Sequence, residues 1–403
     1  MNYKVAIIGA GAAGCFCAIN VKRLMPEADV HVYESHGKAL AKVAITGGGR
    51  CNLTNSFRLV SNLQQVYPRG SKLMKRALSA FSHEALMEWF EREGVRLVIQ
   101  DDECVFPQSQ NAMEIVNTLL SLMRRSGVQQ HLNCRPELAK DGDNYLIDGQ
   151  MFDALVIATG GSPHIGGLDF LSPFALDIVP PVPSLFTFNV AGTWHQQLMG
   201  TVVENATMQI AGTKFRSQGS LLLTHWGMSG PATLRLSSYA ARWLAEHDYR
   251  CQVVINWCGG MNESEARQMI AQMMSDNGQR LVANEYPRWL TARHWQHLIM
   301  CSGIDTTQRW NALNKKQINK LVTTLTADVH EVTGKCPFKE EFVTCGGVAL
   351  SNINISTLES KTHPGLYFAG EVLDVDAVTG GFNLQAAWSM AYVIARQLAS
   401  RTL

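Results

Sequence analysis

The sequence predicts an α/β protein whose two ends build a helix-covered parallel sheet and whose middle has a different texture. Three observations predict this. Residues 4–8 form an apolar, β-rich run that passes through Gly9-Ala10-Gly11-Ala12-Ala13-Gly14 into a helix-prone stretch, 15–25, and a second strand candidate, 30–33. From about 184 to 257 short strands are instead separated by turn signals, as in LFTFNV, SQGSLLLTHWG and RCQVVINW. The tail, GLYFAGEVLDVDAVTGGFNLQAAWSMAYVIARQLASRTL, returns to strand, glycine loop and helix, and so resembles the first half of the chain.

Between the first two strands and the middle region, helical patterns run over 71–92 and 113–125. GVQQHLNC and NYLIDGQMFDALVIATGG then read as strands, an alternation that argues for a parallel sheet. Composition shifts towards Pro and Gly at PHIGGLDFLSPFALDIVPPVPSLF, which marks a boundary. The strands of 184–257 suggest an antiparallel or barrel-like module, with 230–245 helical. Residues 261–326, rich in Gln, Asn and Met, read as a helical subdomain, after which EEFVTCGGVAL returns to strand. The expected domains are therefore 1–183 with 346–403, a barrel-like insert at 184–260 and 327–345, and the helical subdomain at 261–326.

With 403 residues the chain is long enough for two or three domains. A 46% hydrophobic content, 17% charge and net charge of +1 describe a globular protein with no basic excess to suggest nucleic acid or an anionic membrane. The ten cysteines form no Cys-x-x-Cys pair, so neither a zinc ribbon nor a dithiol relay is expected, and no metal is. No segment approaches the roughly 20 apolar residues that span a bilayer, and a cytoplasmic location is the expectation.

Gly9, Gly11 and Gly14 make a G-x-G-x-x-G turn between strand and helix, the setting that separates a dinucleotide fingerprint from a chance match. The first glycine permits the turn, the second admits a pyrophosphate, and the third allows close helix packing. Glu34, twenty residues after Gly14, stands where a carboxylate accepts ribose hydroxyls. The fingerprint serves NAD and FAD alike. The tail favours FAD: Gly370-Glu371 after a short strand, and Gly380-Gly381-Phe382-Asn383 opening a helix, suit a long cofactor whose reduced ring gains from backbone donors and a helix dipole.

IIGAGAAG, ITGGGRCNLTN, LVIATGG, LLLTHWGMSGPATL, FVTCGGV and TLESKTHPGLYFAGEVLDVDAVTGGFNLQAAW together resemble, in order along nearly the whole chain, the BaiN-type bacterial NAD(P)/FAD-dependent oxidoreductases. The resemblance implies a discontinuous Rossmann-like FAD-binding domain with an inserted β-barrel-like domain and a helical subdomain. It implies flavin redox chemistry without one shared substrate, since members are linked to dehydro-bile acid reduction and to aminoacetone oxidation. The FAD-contacting set so implied comprises Gly9, Gly11, Ala12, Ala13 and Gly14; Glu34, Ser35 and Lys42; Thr46, Gly47, Gly48, Gly49, Arg50, Cys51 and Asn52. It continues with Pro136, Ala158, Thr159 and Gly160, then Gly370, Glu371, Asp374, Gly380, Gly381, Phe382, Asn383 and Leu384.

Three residues are candidates for the chemistry. Cys51 follows cationic Arg50 in a glycine loop, a setting that lowers a thiol's pKa when the thiol is exposed; a packed thiol is the competing reading. Arg50 offers a planar fork to pyrophosphate or to a substrate's negative charge. Asn52 could bond the flavin or its own loop. His225, in THWGMSGPA, could relay a proton as hydride moves, or simply order a strand-to-helix turn. His294 and His297 lack a third ligand, and Trp257, Trp289, Trp295 and Trp310 read as core or helix-packing residues. No second G-x-G-x-x-G unit occurs between 160 and 340, so NADH or NADPH would dock transiently and electrons would pass directly between flavin and a small organic substrate. Competing readings are an NAD(P)-only dehydrogenase and a flavin-bound accessory or RNA-modification-related protein without redox turnover.

Overall fold

The computed structural model describes residues 3–336 and 343–401. The chain divides into two compact units, Met1–Val182 with Val343–Leu403, and Pro183–Phe342.

The first unit is built on a five-stranded parallel sheet in the order Leu366–Phe368, Ala154–Ile157, Lys4–Ile8, Asp29–Tyr33, Gln129–His131. Val5, Ala6 and Ile7 have no exposed surface, because helix Ala12–Leu24 and the antiparallel strands of 138–152 both pack on the sheet, Phe152 lying edge-on to His31 and Tyr33, and a central strand covered on both faces is apolar throughout. Strand order reverses at Lys4–Ile8: the next strand in the chain lies on one side, Ala154–Ile157 on the other. In open α/β sheets the crevice at the carboxyl ends of such a pair is where ligands bind. Helix Ala12–Leu24 packs on the C-terminal helix Phe382–Arg401, with Phe16 against Trp388 at 5.3 Å between ring centroids. The predicted 71–92 helix is two, Ser71–Ala80 and His83–Arg92, because the Ser82 hydroxyl caps the second by accepting from Ala85 N. NYLIDGQMFDALVIATGG also divides. Only Ala154–Ile157 joins the parallel sheet, while Leu138–Asp141, Asn144–Ile147 and Gln150–Phe152 form an antiparallel meander whose last turn is Asp148-Gly149, both at positive φ.

The second unit holds a closed six-stranded barrel: Phe188–Val190, Gly227–Ser229, Arg216–Leu223, Val202–Ile210, Cys251–Asn256 and Asp328–Lys335. Helices Glu263–Asn277, Ala292–Cys301 and Lys315–Thr326 accompany it, the first and third opened by capping boxes, Asn262 with Glu265 and Asn314 with Gln317. The predicted 230–245 helix is Pro231–Tyr239 followed by Ala241–Glu246. Trp257, Trp295 and Trp310 are fully buried, whereas Trp289 is 39% exposed and donates to Trp257 O. Val343–Val348 pairs with Ile178–Ser184, not with the barrel, so residues 343–345, expected in the insert, belong to the first unit. The part of the EEFVTCGGVAL strand and of the insert that falls on 337–342 lies outside the described residues. Among the described residues no helix is long and apolar enough to cross a membrane.

Candidate functional site

The glycines of the first turn do two different jobs. A Cβ on Gly9 would stand 2.4 Å from Ala158 O, and one on Gly14 would stand 1.9 Å from Gly9 O. Both are dictated by chain packing on chain, at the point where the sheet order reverses. Gly11 is different: nothing lies within 4 Å of its would-be Cβ. It is the N-cap of Ala12–Leu24, with no side-chain cap and no acid in the first turn. The first-turn N–H groups and the positive end of the helix therefore face open space, the arrangement that holds a phosphate.

Glu34 follows the next strand. Its Oε2 accepts from Ala10 N at 3.0 Å and its Oε1 from His36 N at 3.0 Å, with the Ser35 hydroxyl and the His36 ring also on Oε1. Burial alone would raise this carboxyl, but the Ala10 and His36 N–H groups, joined by the two side chains, hold it below the usual carboxylate range. A fixed carboxylate beside a helix N-terminus can take ribose hydroxyls, and Oε2 keeps a lone pair for them.

In the 46–52 loop the helix that begins at Ala41 leaves helical geometry at Thr46, and Gly47 and Gly48 are left-handed. Cys51 N–H returns to Thr46 O at 3.0 Å, and Arg50 Nε donates to Gly47 O at 3.1 Å, its guanidinium 4.5 Å from the centre of the Phe106 ring. Gly47 is closed in by Asn52 N, whereas Gly48 and Gly49 have nothing within 4 Å. The expected reactive thiol is corrected here. Cys51 is fully buried and left-handed at φ 62°, and burial pushes its thiol up to about 12. An apolar enclosure opposes the thiolate despite the neighbouring arginine. Asn52 serves the loop: with its amide turned to satisfy both atoms, it donates to Thr54 O at 2.9 Å and accepts from Gly381 N at 3.2 Å.

The tail loop is fastened to that same segment. A Cβ on Gly381 would stand 2.3 Å from Thr54 O, so this glycine admits the neighbouring chain. Asn383 closes the turn before its helix, accepting from Ala377 N and donating to Ala377 O. Asn55 Nδ2 donates to Gly380 O, and the Thr54 hydroxyl to Gln385 Oε1 at 2.6 Å. Glu371, expected beside the cofactor's ribityl chain, accepts from Thr344 N at 2.6 Å. Asp374 N–H donates to Val348 O, and the Phe382 ring is buried, with Leu384 half-buried.

Of the other expected residues, Ala158 and Gly160 stand at the carboxyl end of Ala154–Ile157, with open space at Gly160 and Thr159 exposed between them. Ser35 braces Glu34, and Thr46 Oγ1 donates to Val43 O. Lys42 is exposed on the first turn after Ala41, and Pro136 is half-buried. His225 belongs to the second unit, exposed on the turn between two barrel strands and edge-on to Trp226.

Sequence reasoning missed the clamp under the tail loop. Arg69 makes a bidentate pair with Asp376, which is 1% exposed, and Tyr67 Oη donates to Phe382 O at 2.9 Å. Burial acts to lower the arginine's pKa, but the Asp376 carboxylate outweighs it and the net shift is upward. Partners more than 300 residues apart carry no local signal.

Residues 3–397 match the family model described as HI0933-like protein Rossmann domain. The chain is 30% identical over 412 residues to the ribosomal RNA dihydrouridine synthase of Escherichia coli (strain K12), covering 98% of each chain. It is 26% identical over 415 residues to the 3-dehydro-bile acid delta(4,6)-reductase of Clostridium scindens, covering 99% of each. Among solved structures, the 3-ketosteroid delta1-dehydrogenase of Sterolibacterium denitrificans is similar in fold, with a TM-score of 0.51 at 10% identity over 99% of this chain and 100% of that one.

Proposed function

The chain belongs to the HI0933-like family, and on that premise we propose that it is an FAD-dependent reductase that adds hydride to a carbon–carbon double bond conjugated with a carbonyl. The observation that carries the cofactor is the set of open glycines: Gly11, Gly48, Gly49 and Gly160 have empty space where a side chain would stand, while their neighbours are closed in by the chain. The uncapped helix at Ala12 and the fixed Glu34 carboxylate fit the pyrophosphate and ribose of FAD. The 46–52 loop and the 370–384 segment fit its ring end. When bound, the flavin supplies two-electron carriage as hydride.

The substrate class draws on two relatives. Dihydrouridine is uridine with the ring double bond beside a carbonyl saturated, and a 3-dehydro-bile acid with Δ4 and Δ6 bonds is a conjugated ketone. The named activities thus share an electron-poor alkene. Such an acceptor needs its carbonyl held as negative charge develops, and the exposed Arg50, with Nε spent on Gly47 O, keeps further N–H groups for that task. Cys51 shapes the loop, and His225 lies on the second unit. NADH or NADPH, docking transiently, is the proposed source of electrons. The expectation of no nucleic-acid partner came from net charge, which averages over 403 residues and is silent about local patches.

Anaerobic mixing of the purified flavoprotein with NADH or NADPH tests this reading. One of them should bleach the flavin, and a conjugated enone or a uridine-containing RNA should restore its colour. Bleaching by neither would sink the reductase reading.

A further inference from the structure

We infer that the exposed face of helix Ser71–Ala80, with the Ile355–Ser356 loop opposite it, is a docking groove for the phosphate backbone of an RNA strand. The inference rests on the reductase reading only in supplying that site with a polymeric substrate.

Lys72, Lys75, Arg76 and Ser79 are exposed and stand at i, i+3, i+4 and i+7, one stripe along the helix, while Leu73, Met74 and Ala77 are buried on the other side. Among the described residues the three cations have no ion-pair partner, unlike Arg69 just before them. Neither wall carries an acid: Ser71–Ala80 contains none, and residues 350–358 have no charge at all. Lys72 sits in the first turn, where the helix macrodipole is already positive and no acid or side-chain cap offsets it. That placement costs stability in the free protein and is relieved by an anion.

The lining selects among anions. The stripe and the loop border an open depression of about 640 Å³, whose walls carry three cations and Ile355 as the one large apolar side chain, too little apolar surface for a bilayer. Lys72 stands one helical turn from the adjacent Lys75 and Arg76, a stretch that reaches more than one phosphate of a strand, with the Ser79 and Ser356 hydroxyls beside them and Ile355 as an apolar rest for a sugar or base. The helix starts at the tail loop. Arg69 pairs with Asp376, and a Cβ on Gly70 would stand 2.5 Å from Val375 Cγ2, so the groove begins beside the loop assigned to the flavin ring.

The test is fluorescence anisotropy of the FAD-loaded protein with a labelled single-stranded RNA across a salt series, comparing wild type with the triple variant K72Q/K75Q/R76Q. Loss of three phosphate contacts should reduce the slope of log K against log salt by about 2 and weaken binding at least about tenfold. A K315Q/K316Q/K320Q control on the second unit should change neither. An unchanged slope in the first triple variant, an equal loss in the control, or no RNA binding by the wild type overturns the inference. So does retention of RNA with loss of polyglutamate, which would make the groove a site for acidic protein. Flavin bleaching by NAD(P)H, measured on wild type and variant alike, keeps the two readings apart: a wild type that bleaches but binds no RNA leaves the reductase standing and removes the groove, a wild type that binds RNA through the stripe but does not bleach does the reverse, and the variant should bleach like the wild type.

Discussion

In the first unit, buried polar side chains reach across the chain to backbone: Trp388 Nε1 donates to Leu53 O, Ser389 Oγ to Phe81 O and Tyr67 Oη to Phe382 O. In the second, Trp295 Nε1 donates to Val282 O and Ser217 Oγ to Ala232 O in the same way, but both ring nitrogens of His294 and Trp310 Nε1 have no hydrogen-bond partner among the described residues, and at these rings aromatic packing takes the place of partners. Among the described residues Tyr367 Oη, also without a hydrogen-bond partner, is the exception in the first unit. A satisfied buried network fixes one arrangement of loops, whereas apolar packing gives stability and tolerates approximate fits. Substitutions in the first unit should therefore register in cofactor binding, and substitutions in the second in stability.

The sharpest break of that contrast is within one turn. Gly14→Ala puts a methyl into the Gly9 carbonyl, against backbone that cannot yield, and should cost more than about 3 kcal/mol with loss of bound FAD. Gly11→Ala, with open space at its Cβ, should leave the urea midpoint of the apoprotein unchanged while weakening FAD. Equal destabilisation by both would mean that the Gly11 space is structural and not a cradle.

Trp295→Ala tests the other side. Trp295 is fully buried with Nε1 on Val282 O, and its truncation should cost about 3–5 kcal/mol in denaturant titrations while the FAD content of the folded fraction stays at the wild-type level. Parallel loss of FAD would tie the two units together energetically.

What the sequence disclosed follows the same divide. The parallel strands were readable because a short apolar run ending in a glycine turn has few other meanings, whereas 261–326 read only as helical and its helix starts at Asn262 and Asn314 emerge from the structure. The 46–52 glycines looked alike in sequence, yet Gly47 is closed by Asn52 and Gly48 is open, a distinction that tertiary packing alone creates. Cys51 shows the reverse failure. Its neighbour Arg50 suggested a low pKa, but the guanidinium lies over Phe106 and the thiol is enclosed. The break at Ser82 escaped because residues 71–92 keep their helical pattern across it.

His294 gives the second unit a pH signature. Burial first, with His297 and His330 as like charges and Asp328 opposing, lowers its pKa from 6.5 to about 4. Between those values the unfolded chain binds a proton that the folded one refuses, so stability falls as pH drops from 6.5 towards 4, by at most about 3 kcal/mol. His294→Leu, an apolar group against Trp257, should flatten urea midpoints over that window. A slope that persists in the variant would assign the effect elsewhere.

The smallest effect is expected at the residue the sequence made most conspicuous. With its pKa near 12 the Cys51 thiol is ionised to roughly one part in 100,000 at neutral pH, and its burial denies access to alkylating reagents. Cys51→Ala keeps the left-handed turn at the same strain and removes one buried sulfur, so the rate of flavin bleaching should move by less than about twofold. A group taking part in proton transfer would instead cost about 10²–10⁴. A loss of that size in the alanine variant, with FAD still bound, would show that the loop opens during turnover. The first unit's fixed network would then be looser at its glycine loop than its hydrogen bonds suggest.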